Sequence, residues 1–356
     1  MQTIKPKGLP MLIGSLPLED HKKALEWVFK YSPYIPLWIQ LPKRPFEGMI
    51  SQFMESLPGY TFKSGKEFID TATPTFQEEM VLFYEEYMGV IEGKIDIKNT
   101  RFTLNRERAA GFYHLVDRLT QMDGLDNIYA IKGQITGPIT FATAVKDADG
   151  RAIFYDLQLR DMAVKHLTML SAYQARVLSR FNKPVIIFLD EPALAGFGSS
   201  EFISISRDDV LSAFSEIIDY LHTQNVLVGI HVCANTDWSL VFDSGADILS
   251  FDAYSYFDKL LLFKDKLRDF LTHGKFIAWG IVPTDAKYIE KETFDNLYNK
   301  FMTQLNTMEE QTGINSSQII TNTFITPSCG AGSLNIELAQ KVLAITYDMY
   351  KAVSKI

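Results

Sequence analysis

Eight short apolar runs, most of them followed by a stretch with helical spacing, constrain the fold of this chain more than any other feature of its sequence. The predicted strands are residues 11–15, 37–41, 128–135, 184–189, 226–230, 247–252, 275–282 and 319–325. The predicted helices are residues 19–31, 75–88, 105–122, 155–180, 207–223, 291–311 and 333–353. Because strands that alternate with helices form parallel sheets, and eight such units close on themselves, we predict a single α/β domain over residues 1–356, a (β/α)8 TIM barrel.

The least regular part of the chain lies between the second and third predicted strands. Residues 44–98 are rich in aromatic residues and glycine, and only one helix is predicted within them. Thr75 follows a proline and has Glu78 three residues further on, a spacing typical of a capping box at a helix start. We therefore predict an insertion after the second strand.

Composition and charge exclude several classes of protein. The chain has 356 residues, 47% of them hydrophobic, which is enough for a large core. A net charge of −8 without a run of lysine or arginine makes nucleic acid and anionic membranes poor partners. Two cysteines cannot form a disulfide scaffold. No window approaches the roughly 18 consecutive apolar residues of a membrane span, and residues 11–13 are too short for a signal-peptide core, so the predicted location is cytoplasmic.

Polar residues collect directly after the apolar runs. In a barrel of parallel strands the loops after the strands carry the chemistry, so these residues are the candidates for a functional site. They are Ser15, Thr136, Asp190, Glu191, His231, Cys233, Asp252 and Cys329.

One pair of these residues has the spacing of metal ligands. His231 and Cys233 lie two positions apart at the end of a strand, so their side chains point to the same face. Cys329, the other cysteine, follows the eighth predicted strand. A histidine and two cysteines on strand ends can supply three zinc ligands and leave a fourth position. The alternative is a hydrogen-bonded histidine beside two buried cysteines.

Four motifs and the first-strand loop then resemble a known family. Residues 132–140 (KGQITGPIT), 189–194 (LDEPAL), 231–233 (HVC) and 327–330 (PSCG) occur in the order seen in the C-terminal catalytic barrel of cobalamin-independent methionine synthase. Residues 14–17 (GSLP) look like the first-strand loop of that barrel. The wider superfamily includes uroporphyrinogen decarboxylase and corrinoid-dependent methyltransferases. The resemblance covers most of the chain and is weakest over residues 44–125.

The resemblance implies a zinc ion held by His231, Cys233, Cys329 and an acidic residue at the end of the sixth strand. Asp252 stands there in place of the family's glutamate, and the alternative for this aspartate is a helix cap. Zinc would bind the incoming thiol as a thiolate, which is a nucleophile at neutral pH.

The resemblance also implies a site for an amino-acid substrate. Asp190 matches the family's carboxylate that binds the substrate amino group, and it is the predicted catalytic residue. The alternative is that Asp190 does not contact the substrate and only holds other site residues in place. Glu191 is a second, weaker match for substrate binding. Gly14 and Ser15 match a backbone clamp on the substrate carboxylate, although Gly14 is also explained by tight packing. For Thr136 and its neighbours an ordinary turn is the alternative.

Three departures from the family pattern concern the methyl donor. The family enzyme has an additional N-terminal barrel, and we expect none in this protein. Ala144 stands where the family places a tryptophan against the folate pterin, and residues 282–286 contain no histidine where the family has one. We therefore expect a corrinoid protein as donor rather than methyl-folate.

The predicted function is zinc-dependent methyl transfer to a small thiol. Homocysteine is the first candidate for this thiol, and its methylation gives methionine. One alternative within the superfamily is transfer to coenzyme M. A second is a metal-free decarboxylase of the uroporphyrinogen type, which would need basic residues for the substrate carboxylates. A third is a barrel that binds a thiol or a corrinoid protein without catalysis. The sequence leaves open the donor, the thiol, the fourth ligand and the oligomeric state.

Overall fold

The computed structural model describes residues 4–199, 202 and 204–356. The strands are β1 (Tyr60–Lys63), β2 (Lys66–Ile69), β3 (Ile131–Thr136), β4 (Val185–Asp190), β5 (Leu227–Val232), β6 (Ile248–Phe251), β7 (Phe276–Val282) and β8 (Thr323–Pro327). Strands β3 to β8 pair in parallel and in chain order, forming a six-stranded sheet. Nearly every residue of these six strands is buried, as expected for a parallel sheet covered on both faces.

Helices follow most of the strands, which makes the fold mixed α/β. They are α1 (His21–Tyr31), α2 (Phe76–Ile91), α3 (Ala110–Thr120), α4 (Pro138–Ala144), α5 (Leu157–Ser179), α6 (Arg207–Thr223), α7 (Ser239–Asp243), α8 (Ala253–Leu261), α9 (Lys264–Thr272), α10 (Ala286–Ile289), α11 (Phe294–Thr312), α12 (Ser316–Thr321) and α13 (Ile336–Val353). Side-chain caps set several starts: Asp156 caps α5, and Ser206 and Asp209 form a capping box on α6. Within the described residues, no helix has the length and apolar character needed to cross a membrane.

The first two predicted strands are extended segments rather than regular strands. Residues 9–16 lie along β8, with the Met11 N–H donating to the Ile325 carbonyl at 3.0 Å. Residues 36–40 lie along β3, and the Lys132 N–H donates to the Pro36 carbonyl at 2.9 Å. The isolated parallel bridges pair Pro10 with Ile325, Leu37 with Lys132, and Ser15 with Gln40. Pro10 and Pro36 have no backbone N–H and cannot donate to a neighbouring strand, which disfavours regular pairing at these positions.

The eighth predicted strand, 319–325, is wrong at its start. Ile319 and Ile320 belong to α12, whose first turn is capped by the Asn315 side chain accepting from the Gln318 N–H at 2.9 Å. Strand β8 begins only at Thr323. A short buried apolar run has no periodicity that separates a strand from a helix, so the pattern could not locate this boundary.

The predicted insertion contains the antiparallel β1–β2 hairpin and α2. The capping box predicted at its helix start is wrong. The Thr75 hydroxyl donates to Glu79 at 2.7 Å, one position beyond Glu78, and Glu79 also accepts from the Gly59 N–H at 2.8 Å. Glu79 therefore ties the helix start to the hairpin, and Thr75 makes no side-chain cap.

The central sheet separates two apolar clusters. The larger one lies between the sheet and the helices, and the smaller one lies on the opposite face, which we call the inner face. The apolar strand residues of the inner face are Ile186, Phe188, Leu227, Ile248, Phe276, Ala278 and Phe324. Because side chains alternate along a strand, the next inward positions toward the carboxyl edge are occupied by Asp190, His231, Ser250 and Thr326. The inner face thus changes from apolar to polar as the strands end.

Candidate metal centre

Three potential metal ligands meet at the carboxyl edge of the inner face. The imidazole of His231 and the thiols of Cys233 and Cys329 have ligand atoms that all lie within 4.8 Å of one another. His231 is buried near the end of β5, while the two cysteines are half-buried in the loops after β5 and β8. The convergence predicted from the spacing of these three residues is therefore present.

A hydrogen bond orients the His231 ring toward the thiols. Its Nδ1 lies 2.9 Å from the Ser250 hydroxyl, and the two residues are paired in register between β5 and β6. Its Nε2 is buried and, among the described residues, makes no hydrogen bond. A metal-binding histidine typically uses one ring nitrogen as ligand and holds the other through a hydrogen bond. Ser250 makes such a hydrogen bond to His231. It was not predicted from the sequence, because a serine in a buried strand carries no distinctive signal.

The two thiols differ in acidity because they share one negative charge. The hydrogen bond from the Cys329 thiol has the largest effect on the pKa of Cys233. Together with the contact to His231 it lowers this pKa well below the usual value of a cysteine, although burial acts in the opposite direction. The same contact, together with burial, raises the pKa of Cys329. A site that holds a thiolate beside a second thiol and an imidazole is chemically suited to a divalent metal ion.

The donor set fits zinc. Zinc binds cysteine sulfur at about 2.3 Å and histidine nitrogen at about 2.0–2.1 Å, so tetrahedral ligands lie roughly 3.3–3.8 Å apart. The ligand atoms of the three residues lie within 4.8 Å of one another, close enough for one ion to reach all three. Three protein ligands would leave one position for a further ligand, as in catalytic zinc sites.

Asp252, the predicted fourth ligand, caps a helix. Its Oδ1 accepts from the Ser255 N–H at 2.9 Å at the start of α8, as in the alternative interpretation of this residue. Burial raises the pKa of its carboxyl, and the nearby Cys233 adds to this shift. Asp252 is not one of the three residues whose ligand atoms group together within the described chain.

Asp190 lies beside the three candidate ligands. It is paired in register with His231 across β4 and β5, and its Oδ1 is buried without a hydrogen-bond partner among the described residues. Burial raises the pKa of its carboxyl, while the charges of His231 and Lys132 oppose that shift. An uncommitted carboxylate oxygen next to the three ligands has the chemistry to accept a hydrogen bond from an ammonium group.

Glu191, the next residue, is turned to the other side of the strand. It is fully buried, and its two carboxylate oxygens accept from the N–H groups of Ile139 and Thr140, both at 2.9 Å, and from the Thr140 hydroxyl at 2.6 Å. A Cβ on Gly137 would lie 2.3 Å from the Glu191 carboxylate, so the Gly-Pro start of α4 admits this close approach only with glycine. The carboxylate predicted for substrate binding is thus engaged at the start of α4.

Gly14 and Ser15 lie against the loop that carries Cys329. The Ser15 carbonyl accepts from the Ala331 N–H at 3.0 Å, and a Cβ on Gly330 would lie 2.2 Å from the Ser15 hydroxyl. A Cβ on Gly14 would approach Gln134 to 2.9 Å, so tight packing explains this glycine. The first-strand loop therefore borders the three ligands.

Thr136 ends β3 on the same inner face, and its hydroxyl donates to the carbonyl of Met49. After Gly137, Pro138 begins α4, where proline is favoured because the first N–H of a helix has no partner. The turn that was the alternative for Thr136 and its neighbours is therefore a helix start. The contact with Met49 brings the insertion over this part of the carboxyl edge.

No protein-family model and no curated protein matches the chain. Among solved structures it is similar to the catalytic domain of a GH26 endo-β-1,4-mannanase from Bacillus sp. JAMB-750, at 14% identity over 71% of each chain with a TM-score of 0.40. A likeness this distant says nothing about chemistry, so the function is argued from the residues themselves.

Proposed function

We propose that this chain is a zinc-dependent methyltransferase that moves a methyl group to the sulfur of a small thiol, homocysteine first, and that it is related to the catalytic barrel of cobalamin-independent methionine synthase. The observation that carries the proposal is the grouping of His231, Cys233 and Cys329 at one sheet edge, with the His231 Nε2 buried and free of hydrogen bonds in the described residues. The motif order in the sequence supports the same family.

In this proposal His231, Cys233 and Cys329 hold the zinc, and Ser250 fixes the imidazole through Nδ1. Bound zinc lowers the pKa of a coordinated thiol and so supplies a thiolate at neutral pH. The fourth position is the place of the substrate sulfur, and Asp252 is the proposed ligand when no substrate is bound. The hydrogen bond to Ser255 uses its Oδ1, and the carboxylate has a second oxygen.

Asp190 is the proposed binding group for the substrate amino group. Its buried Oδ1 has no other partner in the described chain, and its register neighbour His231 is a metal ligand, so one molecule can contact both residues. The backbone at Gly14 and Ser15 is the proposed clamp for the substrate carboxylate, because it borders the loop of Cys329. Glu191 supports the site by holding α4.

The fold proposal is a closed (β/α)8 barrel over residues 1–356. The six regular strands would be its third to eighth strands, with residues 9–16 and 36–40 in the first two positions. Support comes from the bridges that join each segment to one free edge of the sheet and from the Gln40 N–H, which donates to the Gly14 carbonyl at 2.8 Å between the two segments.

A corrinoid-bound methyl group is the proposed donor. Ala144 is exposed at the end of α4 and offers no aromatic face for a pterin. The loop after β7, residues 282–286, contains no histidine where the family has one tied to proton transfer, and its Thr284 hydroxyl lies 3.1 Å from the Ser328 hydroxyl. Both features support loss of the folate half of the reaction and retention of the thiol half.

Metal analysis and methyl transfer test the proposal together. Purified protein reconstituted with zinc should hold about one ion per chain and should methylate homocysteine from methylcobalamin faster than from methyl-folate. Coenzyme M in a parallel assay distinguishes the two thiol acceptors. His231→Ala should lower zinc affinity and methyl transfer together. The matched control is His273→Ala, a change at an exposed histidine at the end of α9, which should alter neither property. Zinc-free protein with undiminished methyl transfer would contradict the proposal.

A further inference from the structure

The two cysteines of the chain lie side by side at the carboxyl edge of the sheet. The sulfur atoms of Cys233 and Cys329 lie within 4.8 Å of each other. Both side chains are half-buried rather than enclosed, so a small oxidant can reach them. The chain has no other cysteine. An oxidised sulfur on either residue therefore has one thiol of the same chain to react with, and that thiol is its neighbour.

The backbone of the strand ends sets this proximity. Cys233 directly follows Val232, the last residue of β5. Cys329 lies in the loop after β8, and the Ala331 N–H ties that loop to the first-strand segment by donating to the Ser15 carbonyl at 3.0 Å. An S–S bond is about 2.0 Å long, so the two sulfur atoms have a gap of at most about 2.8 Å to close.

A cysteine beside a second thiol follows a different course of oxidation from an isolated cysteine. A peroxide converts the first thiol to a sulfenic acid and releases one water molecule. The second thiol then attacks the sulfenic sulfur, so that the S–O bond breaks, an S–S bond forms and a second water molecule leaves. The two thiols lose two electrons, which the peroxide takes up. Without a neighbouring thiol, further peroxide carries the sulfenic acid to a sulfinic acid, which is not normally reversed.

We propose that Cys233 and Cys329 form a peroxide-sensitive pair, in which oxidation produces a reversible disulfide within the chain and removes two of the three zinc ligands. The effect on zinc rests on the proposed function, whereas the disulfide rests on the two thiols alone. Zinc binds cysteine as a thiolate, so the disulfide leaves only His231, and zinc affinity should fall by more than about 100-fold. Reduction by a dithiol restores both ligands. Peroxide would thus switch the site off without destroying it.

Treatment of zinc-free protein with hydrogen peroxide tests the inference. Intact-mass measurement of the wild type should show the loss of two hydrogen atoms, and its two titratable thiols should fall to none. Proteolytic digestion should give one pair of peptides, joined through Cys233 and Cys329. Dithiothreitol should then restore both thiols and the uptake of about one zinc ion per chain. Zinc-loaded protein should release its ion, measured with a chromogenic chelator, as the disulfide forms.

Two variants serve as controls. Cys329→Ser leaves Cys233 in the same loop without its neighbour, so peroxide should add oxygen to Cys233, and dithiothreitol should not restore the thiol after excess peroxide. His231→Ala keeps both thiols but lacks a proposed zinc ligand, so its disulfide should form equally fast with and without zinc. In the wild type, zinc should slow the reaction.

Oxidation of the wild type to sulfinic acid without a disulfide would overturn the inference. A disulfide that joins two chains, or one that dithiothreitol does not reverse, would overturn it as well. Failure of the reduced wild type to bind zinc would instead remove the proposed function, while a disulfide within the zinc-free chain would still support the pairing of the two thiols.

Discussion

At the end of β4, two adjacent carboxylates on opposite sides of the sheet differ in their hydrogen bonding. On the outer side Glu191 accepts three hydrogen bonds from the start of α4. On the inner side Asp190 has a buried oxygen with no partner among the described residues. Because folded proteins satisfy nearly all buried polar groups, the satisfied carboxylate indicates a structural role and the unsatisfied one a place for a ligand.

Two buried histidines refine this comparison. His166 on α5 is surrounded by the rings of Phe83, Phe102 and Phe141, and its Nε2 lies 2.7 Å from the Phe53 carbonyl. Its Nδ1 also has no partner in the described chain, as is the case for His231 Nε2. An unpartnered nitrogen alone therefore does not define a site. The two thiols beside His231 make the difference.

The largest expected effect separates these two histidines. His231→Ala and Cys329→Ser should each reduce zinc affinity by more than the roughly 10- to 100-fold that an outer-shell change costs, because each removes a ligand. Both variants should still unfold cooperatively, since the site lies at one edge of the sheet and not between the sheet and the helices. His166→Gln should keep its zinc. Equilibrium competition with a chelator and thermal unfolding measure the two properties, and loss of soluble folded protein in either ligand variant would instead make that residue structural.

A smaller effect separates the two carboxylates. Glu191→Gln should lower the free energy of unfolding by about 2–3 kcal/mol, because its amide nitrogen would face a backbone N–H that then has no acceptor. Asp190→Asn should lower it by less than Glu191→Gln does, because no hydrogen bond of the described chain is lost and only the charge that acts on the buried Lys132 is removed. Urea denaturation of both variants measures the difference, and equal losses would remove the distinction between the two sides.

Ser250→Ala should affect the metal without affecting the fold. The change leaves the His231 ring free to rotate, so zinc affinity should fall roughly 10- to 100-fold, while stability changes little. The matched control is Ser244→Ala, a change at the buried serine after α7 whose hydroxyl donates to the Val241 carbonyl and accepts from the Ala246 N–H. This variant should leave zinc affinity unchanged. A Ser250→Ala protein with wild-type zinc affinity would show that the serine does not orient the ligand.

The pH dependence of stability should also distinguish Glu191. Burial, opposed by its hydrogen bonds, raises the pKa of Glu191 from 4.5 to about 7. Between these values the folded state keeps a proton that the unfolded state has released, so this group lowers the free energy of unfolding as the pH rises, by at most about 1.4 kcal/mol per pH unit. Burial lowers the pKa of His166 to about 4, so this histidine raises the free energy of unfolding as the pH rises. It does so equally in the wild type and in Glu191→Gln.

The stability difference between the wild type and Glu191→Gln isolates the first effect. It should narrow as the pH rises from about 4.5 to about 7, because the wild type alone loses the contribution of Glu191. Chemical denaturation at several pH values measures it, and a constant or widening difference would mean that Glu191 is ionised throughout this range.

The sequence predicted the sheet better than the connections around it. Strands β3 to β7 fall close to the predicted runs because each is a buried apolar segment between turn residues. Helices α4, α7, α8, α9, α10 and α12 were not predicted. The first starts at a proline after glycine and is only seven residues long, and α8 contains a non-helical residue, Tyr256, so neither has a long amphipathic repeat.

The candidate site was predictable where strand alternation determines it. His231 and Cys233 had to share a face, and Cys329 had to follow another strand at the same edge of the sheet. The Asp252 cap, in contrast, depends on where α8 begins. Lys132 was within a quoted motif and yet was not singled out. A lysine between Ile131 and Gly133 in an apolar run was the available signal, but which face it occupies depends on the register of β3 against β4.

X-ray absorption at the zinc edge tests the central claim most directly, because it counts the sulfur ligands of the bound ion. Reconstituted protein should hold about one zinc with two sulfur ligands and at least one nitrogen ligand, from Cys233, Cys329 and His231. Addition of homocysteine should raise the sulfur count to three, with the new sulfur in the fourth position. Failure to take up zinc on reconstitution, or a sulfur count that homocysteine does not change, would contradict a zinc centre that binds the thiol.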